Sequence, residues 1–128
     1  MKKCCVIGHN PDKFPWDYND KESIEYQEYV EATACFVDYI IRKKGYINFV
    51  CDNGNGVAYD FAETVESLKY LYPNISIERA DISNVELITT SDLVLFFING
   101  ANDVTFADEL ILAKSLNKEI EIFRLDEM

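Results

Sequence analysis

The stretch DNGNGVAYDFAE, residues 52–63, decides the fold of this chain. An apolar run precedes it at residues 46–51, and apolar residues recur at helical spacing after it, from Val57 to Tyr72. This pattern predicts a strand, a turn that contains glycine, and a helix. Such a unit points backbone N–H groups and the positive end of a helix toward an anion. We expect the rest of the chain to build the sheet that holds this turn.

The segments on either side alternate between strand and helix patterns. Predicted strands cover residues 3–8, 46–51, 75–80, 92–98 and 119–125. Predicted helices cover residues 21–44, 57–72 and 104–116, with one or two helical turns at 85–88. Asp20 is the expected N-cap of the first helix and Gly45 its expected end. The order predicts one α/β domain, residues 1–128, in which helices cover both faces of a parallel sheet.

The expected sheet is Rossmann-like, with five strands in the order 3-2-1-4-5. The third strand alternates apolar and polar residues, which suits an edge, and the very apolar fourth strand is expected at the centre. The first and fourth strands are then neighbours, and ligands bind at the carboxyl end of a sheet where the chain reverses direction between two such strands. The loop after the first strand carries Phe14, Trp16 and Tyr18. These aromatic residues either cap the end of the sheet or form one wall of a pocket.

The composition is acidic, with 23 Asp and Glu against 12 Lys and Arg and a formal net charge of −11. Because binding to a phosphate backbone needs a basic surface, we expect no nucleic-acid partner. The one basic cluster, residues 42–44, falls at a predicted helix C-terminus, where the helix dipole favours cations. No apolar run approaches the ~20 residues that span a membrane, and the first run stops at Ile7. Neither a membrane partner nor an export signal is therefore expected.

The cysteines indicate a reduced protein and no metal site. Their number is four, none has C-x-x-C spacing, and the chain contains one histidine, so neither a metal nor a cofactor is predicted. All of them lie in apolar segments: Cys4, Cys5, Cys35 and Cys51. We expect buried, reduced thiols, which are typical of a cytoplasmic protein.

Three segments carry a resemblance to a known family. Residues 8–16, GHNPDKFPW, resemble the G-H-R-P-x-K-x-P-W opening of the YpsA-like branch of the SLOG superfamily. Residues 52–63 are similar to that branch's second motif, G-M-A-x-G-V-D-x-x-A-A-E, with matches at Gly56, Val57, Ala62 and Glu63. The closing segment is similar at residues 91–94 and at Gly100, Thr105, Glu109 and Ala113. The resemblance covers nearly the whole chain and implies a Rossmann-like pocket for a nucleotide or a nucleoside-derived molecule.

Some positions depart from the family pattern. Asn10 stands where the branch often has Arg, and Asp52 and Ala58 replace the first Gly and the Asp of the second motif. The P-G-G-x-G-T-x-x-E signature of the related LOG phosphoribohydrolases is absent from the sequence. The superfamily contains hydrolases, DNA-binding members such as DprA, and proposed ligand sensors. The acidic charge argues against the DprA-like role.

The candidate ligand-binding residues follow the predicted strand ends. His9 is expected to donate to a phosphate or a ribose hydroxyl, the alternative being a loop histidine bonded to backbone. Gly54 and Gly56 permit a close ligand approach. Asp52 would repel a phosphate, so either it points away, or it binds a ribose hydroxyl or a metal-bound phosphate, or the ligand carries little negative charge. Lys13 is the only cation in the site loops, so a nucleoside or a monophosphate is expected rather than a triphosphate. The full predicted set is Gly8, His9, Asn10, Asp52, Gly54, Gly56, Val57, Gly100 and Thr105.

Three functions remain open from the sequence. The first is a small SLOG-type binding module, and the second is an N-glycosidic hydrolase or transferase that acts on nucleosides or nucleoside monophosphates. The second would use Glu63 or Glu109 at the ribose, and their helices are expected to flank one cleft. Asp60 and Asp108 are expected on the surface. The third is a protein-interaction scaffold with a vestigial site. A homodimer is a further prediction, since relatives form dimers.

Overall fold

Five parallel strands form one sheet in the computed structural model, which describes residues 2–127. The strands are β1 (Lys3–Ile7), β2 (Asn48–Asp52), β3 (Ser76–Ala80), β4 (Leu93–Ile98) and β5 (Glu119–Arg124). Their order is β3-β2-β1-β4-β5, with every pairing parallel. The predicted α/β class, strand number and strand order are confirmed, and the fold is Rossmann-like.

The helices divide between the two faces of the sheet. One face carries α1 (Ile24–Lys44) and α2 (Val57–Ser67), and the other carries α3 (Asn84–Thr90) and α4 (Ala107–Ser115). The connections β1–α1–β2 and β2–α2–β3 run along the sheet in one direction. The connections β3–α3–β4 and β4–α4–β5 run in the other direction. Because such crossovers are right-handed, the two directions place their helices on opposite faces. The turn at the start of α2 and the loops after β1 and β4 therefore meet at the carboxyl end of the sheet.

Strand burial follows strand position. In β1 the four residues after Lys3 are buried, and in β4 the first five are buried, because both strands lie inside the sheet with helices on each face. The middle strand is β1, and β4 lies beside it, one place from the expected centre. At the edges, β3 and β5 contain no buried residue, which confirms the predicted edge position of β3.

Several element boundaries differ from prediction for local reasons. Asp20 does not cap α1; the Ser23 side chain accepts a hydrogen bond from the Tyr26 amide at 3.1 Å, and α1 begins at Ile24. Gly45, with φ 77°, ends α1 as predicted. The helix predicted to reach Tyr72 ends as α-helix at Ser67 and continues as a short 3-10 turn.

The cysteine prediction holds for three residues and is wrong for one. Cys4, Cys5 and Cys51 are buried thiols, whereas Cys35 is exposed on α1. Burial raises the pKa of the Cys5 and Cys51 thiols to about 11. In the part of the chain that the structure describes, no helix has the length and apolar character needed to cross a membrane.

Candidate functional site

The loops that follow β1 and β4 are joined by side-chain hydrogen bonds at the carboxyl end of the sheet. Ile7 and Phe96 pair near the ends of these neighbouring strands. Beyond them, the Asn99 side-chain amide donates to the Lys13 carbonyl at 2.7 Å, and His9 Nε2 lies 2.6 Å from Asp103 Oδ2. The predicted meeting of the two loops at the reversal of strand order is thus present.

Asp103 holds the β4 loop in place through several hydrogen bonds, although it is not among the residues predicted from the sequence. Its Oδ2 accepts from the Asn99 amide at 2.9 Å and from His9, and its Oδ1 accepts from the Thr105 amide at 3.0 Å. Burial raises the pKa of this carboxyl, but the hydrogen bonds from Asn99, His9 and Thr105 outweigh burial and hold its pKa well below the usual value. Asp103 is therefore an ionised, nearly buried acceptor.

His9 is held on three sides. Since a carboxylate only accepts, the Nε2 of His9 carries the proton shared with Asp103. The imidazole centroid lies 5.0 Å from that of Phe106, and the residue is 5% exposed. The backbone carbonyl of His9 accepts from the Val57 amide at 3.1 Å. The predicted ligand histidine is thus also a structural link between the β1 loop and the first residue of α2.

Two predicted glycines allow this link because they remove side-chain volume. A Cβ on Gly8 would lie 2.5 Å from the Val57 side chain, and a Cβ on Gly56 would collide with the His9 carbonyl oxygen. Gly56 also has φ 72°, which L-residues rarely adopt. The close approach at Gly56 is therefore to the chain's own backbone. In the first turn of α2, the amides of Ala58 and Tyr59 make no hydrogen bond to another described element.

Asp52 is used within its own turn. Its Oδ1 accepts from the Gly54 amide at 2.6 Å, and a Cβ on Gly54 would lie at the same distance from that oxygen. The carboxylate thus stabilises the turn between β2 and α2, a short-range pattern that Asp commonly makes. The sequence alone offered other roles for Asp52, including a contact to a ribose hydroxyl.

The remaining predicted ligand residues lie around this centre. Thr105 is joined to it through Asp103, and the Gly100 carbonyl accepts from the Asp103 amide at 3.0 Å. Asn10 is exposed, and its side chain makes no hydrogen bond to another described residue. The structure therefore brings together the β1 loop, the start of α2 and the β4 loop, with the Asp52 turn beside them.

Glu63 and Glu109 lie on helices that cover opposite faces of the sheet. Glu63 projects from α2, where it accepts from the Tyr59 hydroxyl and pairs with Arg79, each at 3.1 Å. Glu109 belongs to α4 and accepts from the Asn84 side-chain amide at 3.1 Å. The two carboxylates therefore have separate partners, and a catalytic role for either one stays a prediction from the sequence.

Asp60, expected on the surface, is buried between α1 and α2. Its Oδ2 accepts from the Tyr18 hydroxyl at 2.8 Å and from the Tyr29 hydroxyl at 2.9 Å. Burial raises the pKa of Asp60, although the two tyrosine hydrogen bonds oppose the shift. Helical spacing contained the signal, since Asp60 falls on the same stripe as Val57, Phe61 and Val65.

The aromatic loop residues pack against α1, which favours the capping interpretation. The Phe14 centroid lies 4.6 Å from that of Tyr18 and 5.4 Å from that of Tyr29, and the Trp16 centroid lies 5.5 Å from that of Tyr29. Phe14 and Tyr18 are buried in the core on the α1–α2 face. These side chains hold the β1 loop in place over the end of the sheet.

Comparison with known proteins does not assign the chain to a family. A scan against protein-family models and a search of curated proteins both find no match to this chain. The similarity to SLOG proteins therefore stays a prediction from the sequence.

Within residues 2–127, no group of three or more His, Cys, Asp or Glu side chains is placed to hold a metal ion.

Proposed function

We propose that this chain is a small SLOG-type module that binds a nucleotide or a nucleoside-derived molecule at the carboxyl end of its sheet. One observation carries the proposal: His9 is bonded through its carbonyl to the start of α2 and through its ring to Asp103. Three chain segments are thereby fixed around the point where the strand order reverses. Pre-organised sites of this kind lower the ordering cost of binding.

The polar groups left at this edge favour a ligand with little negative charge. The amides of Ala58 and Tyr59 point along the start of α2, where an anion is favoured. The exposed side chains of Asn10 and Lys13 stand on the adjoining loop. Asp52 and Asp103 place two carboxylates nearby, and the chain carries a net charge of −11. A nucleoside or a monophosphate suits this balance better than a triphosphate.

The binding function is preferred to the glycosidase alternative. An N-glycosidic hydrolase needs a carboxylate at the sugar, and Glu63 and Glu109 each accept a hydrogen bond from another side chain of the protein. Glu63 is in addition exposed and paired with Arg79. Binding without catalysis is therefore the function we favour, and a cytoplasmic location and self-association stay predictions from the sequence.

The test is thermal unfolding of the protein with a panel of nucleosides, mono- and diphosphates, dinucleotides and cyclic nucleotides. A ligand at 100 times its dissociation constant adds about 2.7 kcal/mol to the free energy of unfolding. Asn10→Ala should reduce the shift, because Asn10 lies in the site and makes no internal side-chain hydrogen bond. Asn19→Ala is the matched control, since Asn19 is also an exposed loop asparagine.

Each outcome separates the three functions. A shift with one ligand class, reduced by Asn10→Ala and kept by Asn19→Ala, supports the proposal. Release of free base from the same ligand, abolished by Glu63→Gln or Glu109→Gln in folded protein, would establish the enzyme instead. A panel without any shift would contradict ligand binding and favour the scaffold.

A further inference from the structure

A cavity of about 350 Å³ lies between α1 and α2. None of the residues predicted to bind the nucleotide-like ligand lines it. Its walls are formed by Tyr26, Tyr29, Val30 and Thr33 of α1 and by Tyr59, Asp60, Glu63, Thr64 and Ser67 of α2. The volume is at the lower end of the range for small-molecule sites.

A buried carboxylate faces this cavity. Asp60 is 8% exposed, and both tyrosine hydroxyls that hold it bond to Oδ2. Its Oδ1 accepts no hydrogen bond from any residue between Lys2 and Glu127. A buried charge is costly unless it is paired, so this oxygen is a strong acceptor for a donor that brings positive charge.

A buried hydroxyl on the opposite helix is also unpaired. Thr33 lines the cavity from α1 and is 1% exposed. Its Oγ1 is fully buried and has no hydrogen-bond partner among residues 2–127. A threonine in a helix can bond back to a carbonyl one turn earlier, as Thr64 does to the Asp60 carbonyl at 2.8 Å. Because buried polar groups are usually hydrogen-bonded, the unpaired hydroxyl of Thr33 is consistent with a hydrogen bond to a bound ligand.

The aromatic walls suit an ammonium group. The ammonium of Lys21 lies 3.4 Å from the ring centroid of Tyr18 and 4.3 Å from that of Tyr26. The tyrosines around Asp60 therefore already accept a primary ammonium on their ring faces, outside the cavity. Tyr59, which is 47% exposed, stands on the α2 wall. Glu63 already forms a salt bridge with Arg79, so Asp60 supplies the negative charge inside the cavity.

We propose that the cavity between α1 and α2 binds a primary alkylammonium ion. The ammonium donates to Asp60 Oδ1 and to Thr33 Oγ1, while the alkyl carbons pack against Tyr26, Tyr29 and Tyr59. A neutral donor would satisfy the hydrogen bonds but would add no positive charge beside Asp60. The inference is independent of nucleotide binding, because it uses different residues and a cationic ligand.

The test is calorimetric titration of the full chain at neutral pH with two sources of this group. The sources are n-butylammonium, for a free amine, and N-acetyl-lysine methylamide, for a lysine side chain. The neutral control is n-butanol, which has the same carbon chain. Binding of either ammonium without binding of n-butanol is expected, and the tighter of the two identifies the source.

Three variants locate the site. Asp60→Asn keeps an acceptor for the two tyrosines and should weaken binding about tenfold or more through loss of the charge. Thr33→Val, of nearly the same shape, should weaken binding several-fold and yet raise the melting temperature of the free protein, because a buried unpaired hydroxyl is removed. Glu28→Gln, on the exposed face of α1, removes the same unit of charge and should leave binding unchanged.

The opposite results overturn the proposal. They are equal binding of n-butanol, no binding of either ammonium compound, or an equal loss of affinity with Glu28→Gln and Asp60→Asn. If Asp60→Asn does not fold, Thr33→Val decides: a raised melting temperature with unchanged affinity would make the hydroxyl an internal defect and refute the site.

Discussion

Gly56→Ala tests the junction on which the candidate nucleotide site rests. Gly56 has φ 72° and ψ −131°, a conformation that L-residues avoid. A Cβ there would collide with the His9 carbonyl oxygen and lie 3.1 Å from the Asn10 backbone. Since both neighbours are backbone atoms, no side-chain rotation relieves the collision. The β1 loop or the start of α2 has to move.

The expected loss of stability has two parts. Backbone strain at such a position costs about 1–3 kcal/mol. Displacement of the loop weakens the hydrogen bond from the Val57 amide to His9, which contributes about 1 kcal/mol. Together these predict a loss of about 2–4 kcal/mol from a total of roughly 5–15 kcal/mol. Gly45→Ala is the matched control: its φ is 77°, but nothing lies within 4 Å of the added Cβ. It should lose only about 1 kcal/mol.

Urea unfolding followed by circular dichroism measures both variants against the wild type. A loss of about 3 kcal/mol corresponds to a fall of roughly 10 °C in melting temperature for a chain of this size. The reasoning is refuted if Gly56→Ala loses no more stability than Gly45→Ala. Crowding by His9 would then have no energetic effect, and the glycine would have to be explained by ligand approach or by chance.

Two further predictions concern titratable groups. The pKa of Asp103 is lower in the folded chain than in the unfolded one, so its contribution to stability is complete above about pH 4 and is lost as pH falls toward the folded value. Asp103→Asn should therefore flatten the dependence of the unfolding free energy on pH below about 4, and an unchanged slope would contradict the bonding of this carboxylate. A thiol reagent at pH 8 should label one exposed cysteine, Cys35, in native protein, and the others only after unfolding. Rapid native labelling of a second thiol would contradict the burial of Cys4, Cys5 and Cys51.

The fold was predictable because its signals are local and repeated. Each strand of the sheet is an apolar or alternating run, and each long helix has an apolar stripe and an end signal such as Gly45. Handedness of the crossovers then leaves few ways to order the strands. The errors are at element ends, where Ser23 rather than Asp20 accepts the capping bond. Two acceptors of similar capping strength, three residues apart, cannot be ranked without the geometry of the preceding loop.

The candidate site was only partly predictable, because its bonds join distant parts of the chain. Its glycines and His9 were identified from position and motif, yet their contacts are with one another. Asp103 carries no local sequence signal, because its His9 partner lies 94 residues away. An acidic residue on a helix is ordinarily expected in solvent, and only its spacing places Asp60 on the buried stripe. A buried acidic residue on a helix can be predicted only if its position relative to the apolar stripe is trusted over the usual exposure of acidic side chains.

The two proposed sites share one structural support, the loop between β1 and α1. Its first residue after Gly8, His9, bonds the amide of Val57, and its later residue Tyr18 bonds Asp60. Both contacts fix the first turn of α2, one at the carboxyl end of the sheet and one in the cavity between the helices. The aromatic side chains of the loop pack on α1 and so hold His9 and Tyr18 in position for these two hydrogen bonds. This is a physical reason for an aromatic, proline-containing loop here that holds whether one ligand binds or two.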